Sequence, residues 1–226
     1  MLKAVIFDLD GVLADTVSLG LNIRKKILAE HYGIDLNSVP DPQDQDHKAA
    51  STRTLLASIE NHLGIHIDHD EFAQHVAEQL HGNASESLSV DPALVKFLDE
   101  LKQHGIIRAV VTTGLRANAN TKLDALGINQ YFSIIITGGE IEHHKPHPEA
   151  YLHALEKLHL LADECVIFED SLTGVQAGLA TGCKVINFTQ YNPPKEPLPG
   201  VIATVERWSD MSYNKLLSLE KTGANL

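Results

Sequence analysis

Asp8 and Asp10 follow a short apolar run, Ala4 to Phe7, and only Leu9 separates them. A run this short, ended by charge and by Gly11, reads as a buried strand. Residues two apart on a strand project to the same side, so the two carboxylates converge at its carboxyl end. Two such charges about 4 Å apart repel by roughly 4 kcal/mol at an effective dielectric near 20. A cation, a shared proton or a reaction must make use of them. Further along, Thr112-Thr113-Gly114, Lys145 and Glu169-Asp170 each follow another apolar run. Singly, each has a plain structural reading: a helix cap, a turn or a solvated charge. Together, at successive strand ends, they describe a site.

The charge balance of that site indicates its use. Asp8, Asp10, Glu169 and Asp170 are acidic, and Lys145 returns one positive charge. A phosphate brings further negative charge and needs a cation to bind there. Carboxylate oxygens without nitrogen or sulfur partners select Mg²⁺, which commonly bridges carboxylates to a substrate phosphate. Phosphoryl transfer then requires an in-line nucleophile, charge neutralisation and a proton for the leaving group.

The elements that carry these residues alternate. After residue 90, helical periodicity over 93–103 (Leu94, Phe97, Leu98, Leu101) precedes a strand over 108–112. A helix over 117–126 is capped by Gly127. Strands over 133–137, 165–168, 184–188 and 201–205 follow, with helices over 147–159 and from 171 to 182 between them. Continuous apolar strands alternating with helices imply an α/β fold with a parallel sheet covered on both faces. Ligands bind beyond the carboxyl ends of such strands. Residues 15–88 break the rhythm: they show helical periodicities, no convincing strand, and twelve Asp or Glu against five Lys or Arg. They read as a helical module inserted after the first strand, giving a core of 1–14 and 89–226 with a cap of 15–88.

These motifs resemble the haloacid dehalogenase superfamily. The matching residues are Asp8, Asp10, Gly11, Asp15 and Thr16; Val110 to Gly114; His144 to Pro148; and Phe168 to Ser171 with Gly174, Ala177 and Gly178. Four motifs in the right order over nearly the whole chain make the resemblance specific. The insert looks like the cap of the branch that holds phosphoglycolate phosphatases and β-phosphoglucomutases. The resemblance implies a Rossmann-like core and a Mg²⁺-dependent phosphatase of a small phosphorylated metabolite. Asp8 is then the nucleophile that becomes an aspartyl phosphate, and Asp10 the acid and base. Thr112, Thr113 and Gly114 hold phosphate oxygens, and Lys145 neutralises charge and orients Asp8. Asp8, the Asp10 carbonyl and Asp170 hold the metal, with Glu169 bound directly or through water. An aspartate two residues after the nucleophile also separates the phosphotransferases from the true dehalogenases.

Departures from the pattern concern specificity. The branch's mutases carry a histidine and basic residues on the first cap helix, whereas Val17 to Ile23 here holds neither and Arg24 to Lys26 come a turn later. Arg53 and Arg116 are the candidates for contact with an anionic substrate, each weighed against a solvated arginine. Asp91-Pro92 stands where relatives carry Pro-Gly, next to an expected hinge over 87–92; the other hinge falls over 14–16. Opening and closing of the cap is expected to gate substrate and water. A sugar phosphomutase on the same scaffold is the alternative activity. A phospho-accepting signalling protein is a further one, opposed by the order of its motifs.

Composition limits the remainder. A net charge of −12 argues against nucleic acid or an anionic membrane as partner. Cys165 and Cys183 read as buried, reduced core residues, and the expected location is cytoplasmic. Of the thirteen histidines, His143, His144 and His147 surround Lys145 without the spacing of a zinc site and read as solvated. His62, His66, His69, His75 and His81 read as surface residues.

Overall fold

The computed structural model describes residues 1–40, 52–194 and 196–222, the side chains of 77, 80–87 and 222 excepted. In chain order its longer elements are β1 (Ala4–Phe7), α1 (Thr16–Tyr32), α2 (Thr52–Leu63), α3 (His69–Ser87), α4 (Pro92–Gln103), β2 (Ile107–Val111), α5 (Arg116–Ala125), β3 (Ile134–Ile136), α6 (Glu149–Leu158), β4 (Cys165–Glu169), α7 (Leu172–Ala180), β5 (Lys184–Phe188), β6 (Ala203–Val205) and α8 (Tyr213–Thr222). They form two compact units, Met1–Asp15 with Leu88–Leu226, and Thr16–Ser87.

The first unit is an α/β fold around one parallel sheet of order β3-β2-β1-β4-β5-β6. β1 lies at the centre because all four of its residues are buried and apolar, the composition a strand covered on both faces requires. One face of the sheet packs Val5, Phe7, Val110 and Phe168 with α4 and Trp208. The other packs Ile6, Val111 and Ile167 with α6 and α7. Phe7 pairs with Val110 on one side and Phe168 on the other, which brings the carboxyl ends of β1, β2 and β4 to one level. The strand ends that carry the chemistry are therefore neighbours.

Boundaries move where proline or glycine decides them. The helix expected over 147–159 starts at Glu149, because Pro146 and Pro148 cannot donate to a helical ladder. Asp91 caps α4 by accepting from Ala93 N at 2.8 Å, with Pro92 at the first helical position. Asp-Pro therefore makes a firm helix start. The second unit contains α1, α2 and α3 and no strand among the described residues. Its core joins Ile23, Ile27 and Leu28 of α1 to Leu55, Leu56 and Ile59 of α2 and Phe72 of α3. None of the described helices is long and apolar enough to cross a membrane.

Candidate active site

The turn after β1 is held by its own main chain. Gly11 adopts a positive φ of 86°, open to glycine at little cost, and its N–H donates to Ala14 O at 2.9 Å. The N–H groups of Leu13 and Ala14 both donate to Leu9 O, and the Trp208 indole donates to Val12 O. Asp8 and Asp10 thus project from a braced loop. Asp8 N donates to Phe168 O, which ties that loop to β4.

Lys145 reaches the same point from the loop before α6. Its Nζ donates to Asp8 Oδ1 and to Glu169 Oε1, both at 2.5 Å, and its side chain is only 5% exposed. Burial opposes the ammonium, but the charges of Asp8 and Glu169 outweigh it and hold Lys145 well above its usual range. For Asp8, burial dominates: with the charges of Glu169 and Asp10 it pushes the carboxyl up to about 7 against the pull of Lys145. Asp170 is raised well above its ordinary value by burial, then by Glu169 and Asp8, although Asn192 donates to its Oδ2 at 2.9 Å.

A cleft of about 330 Å³ opens at this point, lined by Asp8, Asp10, Thr112, Thr113, Lys145 and Asp170, together with Ser171 and Thr173. Six expected site residues therefore share one cavity. Thr112 N is held by Ile136 O, and its hydroxyl accepts from Gly114 N at 3.1 Å. Gly114 accordingly shapes the turn and spends its N–H on Thr112.

Glu169 differs from expectation. It is fully buried, and five donors fill its oxygens: Lys145 and the Tyr151 hydroxyl on Oε1, and Asp170 N, Ser171 N and the Ser171 hydroxyl on Oε2. A carboxylate has about four lone-pair positions, so this one has none left for a metal. Its geometry suits it to orient Lys145. Arg116 also departs: it pairs with Glu140 and donates to Ile135 O, which turns it from the cleft. Arg53, in the second unit, is exposed beside Pro40, Thr54, Ser58 and His62.

Among the lining residues, Asp8 and Asp170 offer carboxylate oxygens suited to a divalent ion. Burial, and after it the repulsion of neighbouring carboxylates, raises both carboxyls; a divalent cation removes that repulsion, and the donor set is all oxygen. His143, His147 and Glu149 bring donor atoms within 4.8 Å of one another. Glu149, however, accepts from Glu142 N, His143 N and the His143 ring, so the group ties down the Lys145 loop. Among the remaining histidines, His75 is half-buried against His31, contrary to its surface reading, and His69 contacts Glu60. The side chains of His81 and Leu80 lie outside the described residues.

The sequence reading missed three side chains. Tyr151 donates to Glu169 from the first turns of α6, Asn192 to Asp170 from the proline-rich loop, and Lys122 to Asp10 from α5. A lysine at helical spacing behind Thr112-Thr113-Gly114 was the available signal for Lys122. Tyr151 and Asn192 carried none beyond their polarity.

The comparisons agree with this geometry. A family model described as haloacid dehalogenase-like hydrolase matches residues 5–188. The phosphorylated carbohydrates phosphatase of Thermotoga maritima is 32% identical over 187 residues, covering 82% of this chain and 84% of that protein. Hexitol phosphatase A of Escherichia coli is 28% identical over 187 residues, covering 81% and 82%. A crystal structure of a putative β-phosphoglucomutase from Thermotoga maritima is 28% identical with a TM-score of 0.71, covering 96% of this chain and 99% of that one. With its four strand-end motifs gathered in one cleft, the chain belongs to the haloacid dehalogenase-like hydrolases.

Proposed function

We propose that the protein is a phosphatase that cleaves a small phosphorylated metabolite, a sugar phosphate in the first instance. The observation that carries this reading is the Lys145 ammonium, 2.5 Å from both Asp8 and Glu169, at a cleft also lined by Thr112, Thr113 and Asp170. The names of the phosphatases similar to the chain support the sugar class. Asp8, Asp170 and the Asp10 carbonyl would hold a Mg²⁺ ion, which would supply charge neutralisation to the transferring phosphoryl group.

The residues act in sequence. An Asp8 oxygen attacks phosphorus and the bond to the substrate oxygen breaks, leaving an aspartyl phosphate. Asp10 gives its proton to the departing alcohol. Asp10, now ionised, takes a proton from water as that water attacks phosphorus and the bond to Asp8 breaks. Phosphate leaves and Asp8 is restored. Lys145 orients Asp8 and offsets its charge, while Thr112 and Thr113 hold phosphoryl oxygens. In this reading the helical unit Thr16–Ser87 is the cap that selects substrate.

The 28% likeness to a putative β-phosphoglucomutase motivates one competing reading, in which the phosphoryl group returns to the sugar. Incubating the enzyme with a panel of sugar monophosphates, with and without Mg²⁺, separates the two. Free phosphate released in proportion to substrate lost supports hydrolysis. Isomer formation without free phosphate overturns it.

A further inference from the structure

We infer that Lys122 is a positioning residue for Asp10: its ammonium holds the Asp10 carboxylate at the cleft in the orientation that proton transfer needs. This rests on the reading of Asp10 as proton donor and acceptor, and adds the group that aims it. Lys122 Nζ lies 2.5 Å from Asp10 Oδ1. The Thr112 hydroxyl lies 3.5 Å from Oδ2, at the outer limit of a hydrogen bond. Of these two contacts, the lysine makes the stronger. It grips Oδ1 and so fixes the direction in which the carboxylate is presented.

The platform behind Lys122 is rigid. Its neighbour Leu123 and Ala119, one turn earlier, are both buried in the core, so α5 cannot roll without exposing them. The braced turn over 9–14 fixes the Asp10 main chain in the same way. Between the two, the ion pair holds the Asp10 side chain against α5. Lys145 is engaged with Asp8 and Glu169.

The Lys122 side chain is 17% exposed and that of Asp10 35%, so the pair is partly buried and its loss costs stability as well as positioning. The split between kcat and KM, and rescue by arginine, tell the two apart. Proton transfer is sensitive to misplacement of the donor.

Steady-state kinetics of the full chain with Mg²⁺, using p-nitrophenyl phosphate as probe, test the inference. Lys122→Met should lower kcat about tenfold, equivalent to about 1.4 kcal/mol of barrier, with KM within about twofold of wild type. Lys122→Arg, which restores a cation, should regain most of the loss. Should the Met variant fail to fold, judged by its melting curve, Lys122→Gln is read in the same way. A wild-type kcat in the Met variant overturns the inference. So does a raised KM at unchanged kcat, which makes Lys122 a substrate contact, or an Arg variant no better than Met. Asp10→Asn separates the two levels. If it turns over normally, the reading of Asp10 fails. If it is inactive while Lys122→Met is fully active, only the role of Lys122 fails.

Discussion

A Cβ on residue 174 would lie 1.9 Å from Glu169 Oε1, so Gly174 leaves the room that the Glu169 carboxylate occupies. Glu169 cannot step aside, because it is fully buried and held by five donors. Gly174→Ala should therefore displace the carboxylate and loosen Lys145. The expected result is about tenfold lower kcat and a loss of about 1–3 kcal/mol in urea unfolding. Wild-type values for both would mean that Glu169 does not hold Lys145 in place.

Tyr151 tests the same network from the other side. Its buried hydroxyl donates to Glu169 Oε1 at 2.7 Å, and its ring lies 4.9 Å from Lys145 Nζ. Tyr151→Phe keeps the ring and removes one donor to a charged group. Chemical denaturation should show a loss of about 1.5–3 kcal/mol, with kcat reduced less than in Gly174→Ala. An unchanged unfolding free energy contradicts the network.

Metal addition should be visible without turnover. Burial and mutual repulsion raise Asp8 and Asp170, so the metal-free site is stressed. Mg²⁺ at about a hundred times its Kd should raise the melting temperature by roughly 5–10 °C. Asp170→Asn should abolish that shift while leaving the metal-free protein as stable or more so. An equal Mg²⁺ shift in both proteins would place the ion elsewhere.

Acid stability has a separate origin at Glu140. Burial opposes its ionisation, but Thr137, Lys157 and Arg116 outweigh it and hold the carboxyl at about 2, against an ordinary value of 4.5. The folded pKa lies below the unfolded one, so this contribution is complete above about 4.5 and is lost as pH falls toward 2. Melting curves across that window should fall less steeply for Glu140→Gln than for wild type. Parallel slopes contradict the assignment.

The sheet was legible because its strands are unbroken apolar runs, and the polar residues ending them, Asp8, Thr112 and Asp170, could be ranked by position alone. Glu169 could not be separated from Asp170 this way: one turns inward to Lys145 and Tyr151, the other to the cleft, and adjacent residues on a strand end give no sign of that division. Arg116 looked free in sequence because its partner Glu140 lies beyond the next strand. Lys122 offered only its helical spacing behind Thr112-Thr113-Gly114 as a signal, because its partner Asp10 stands 112 positions earlier. α8 went unread because its polar sequence buries chiefly Leu216, too little apolar periodicity for a pattern.

The central claim is that Asp8 carries the phosphoryl group. Quenching the enzyme during turnover of a sugar phosphate, reducing with borohydride and sequencing the peptides by mass spectrometry tests this most directly. An acyl phosphate on Asp8 is reduced to homoserine at that position alone, and the account predicts this product in wild type and its absence in Asp8→Asn. Continued phosphate release with Asp8 unmodified, or reduction at a different carboxylate, would contradict it.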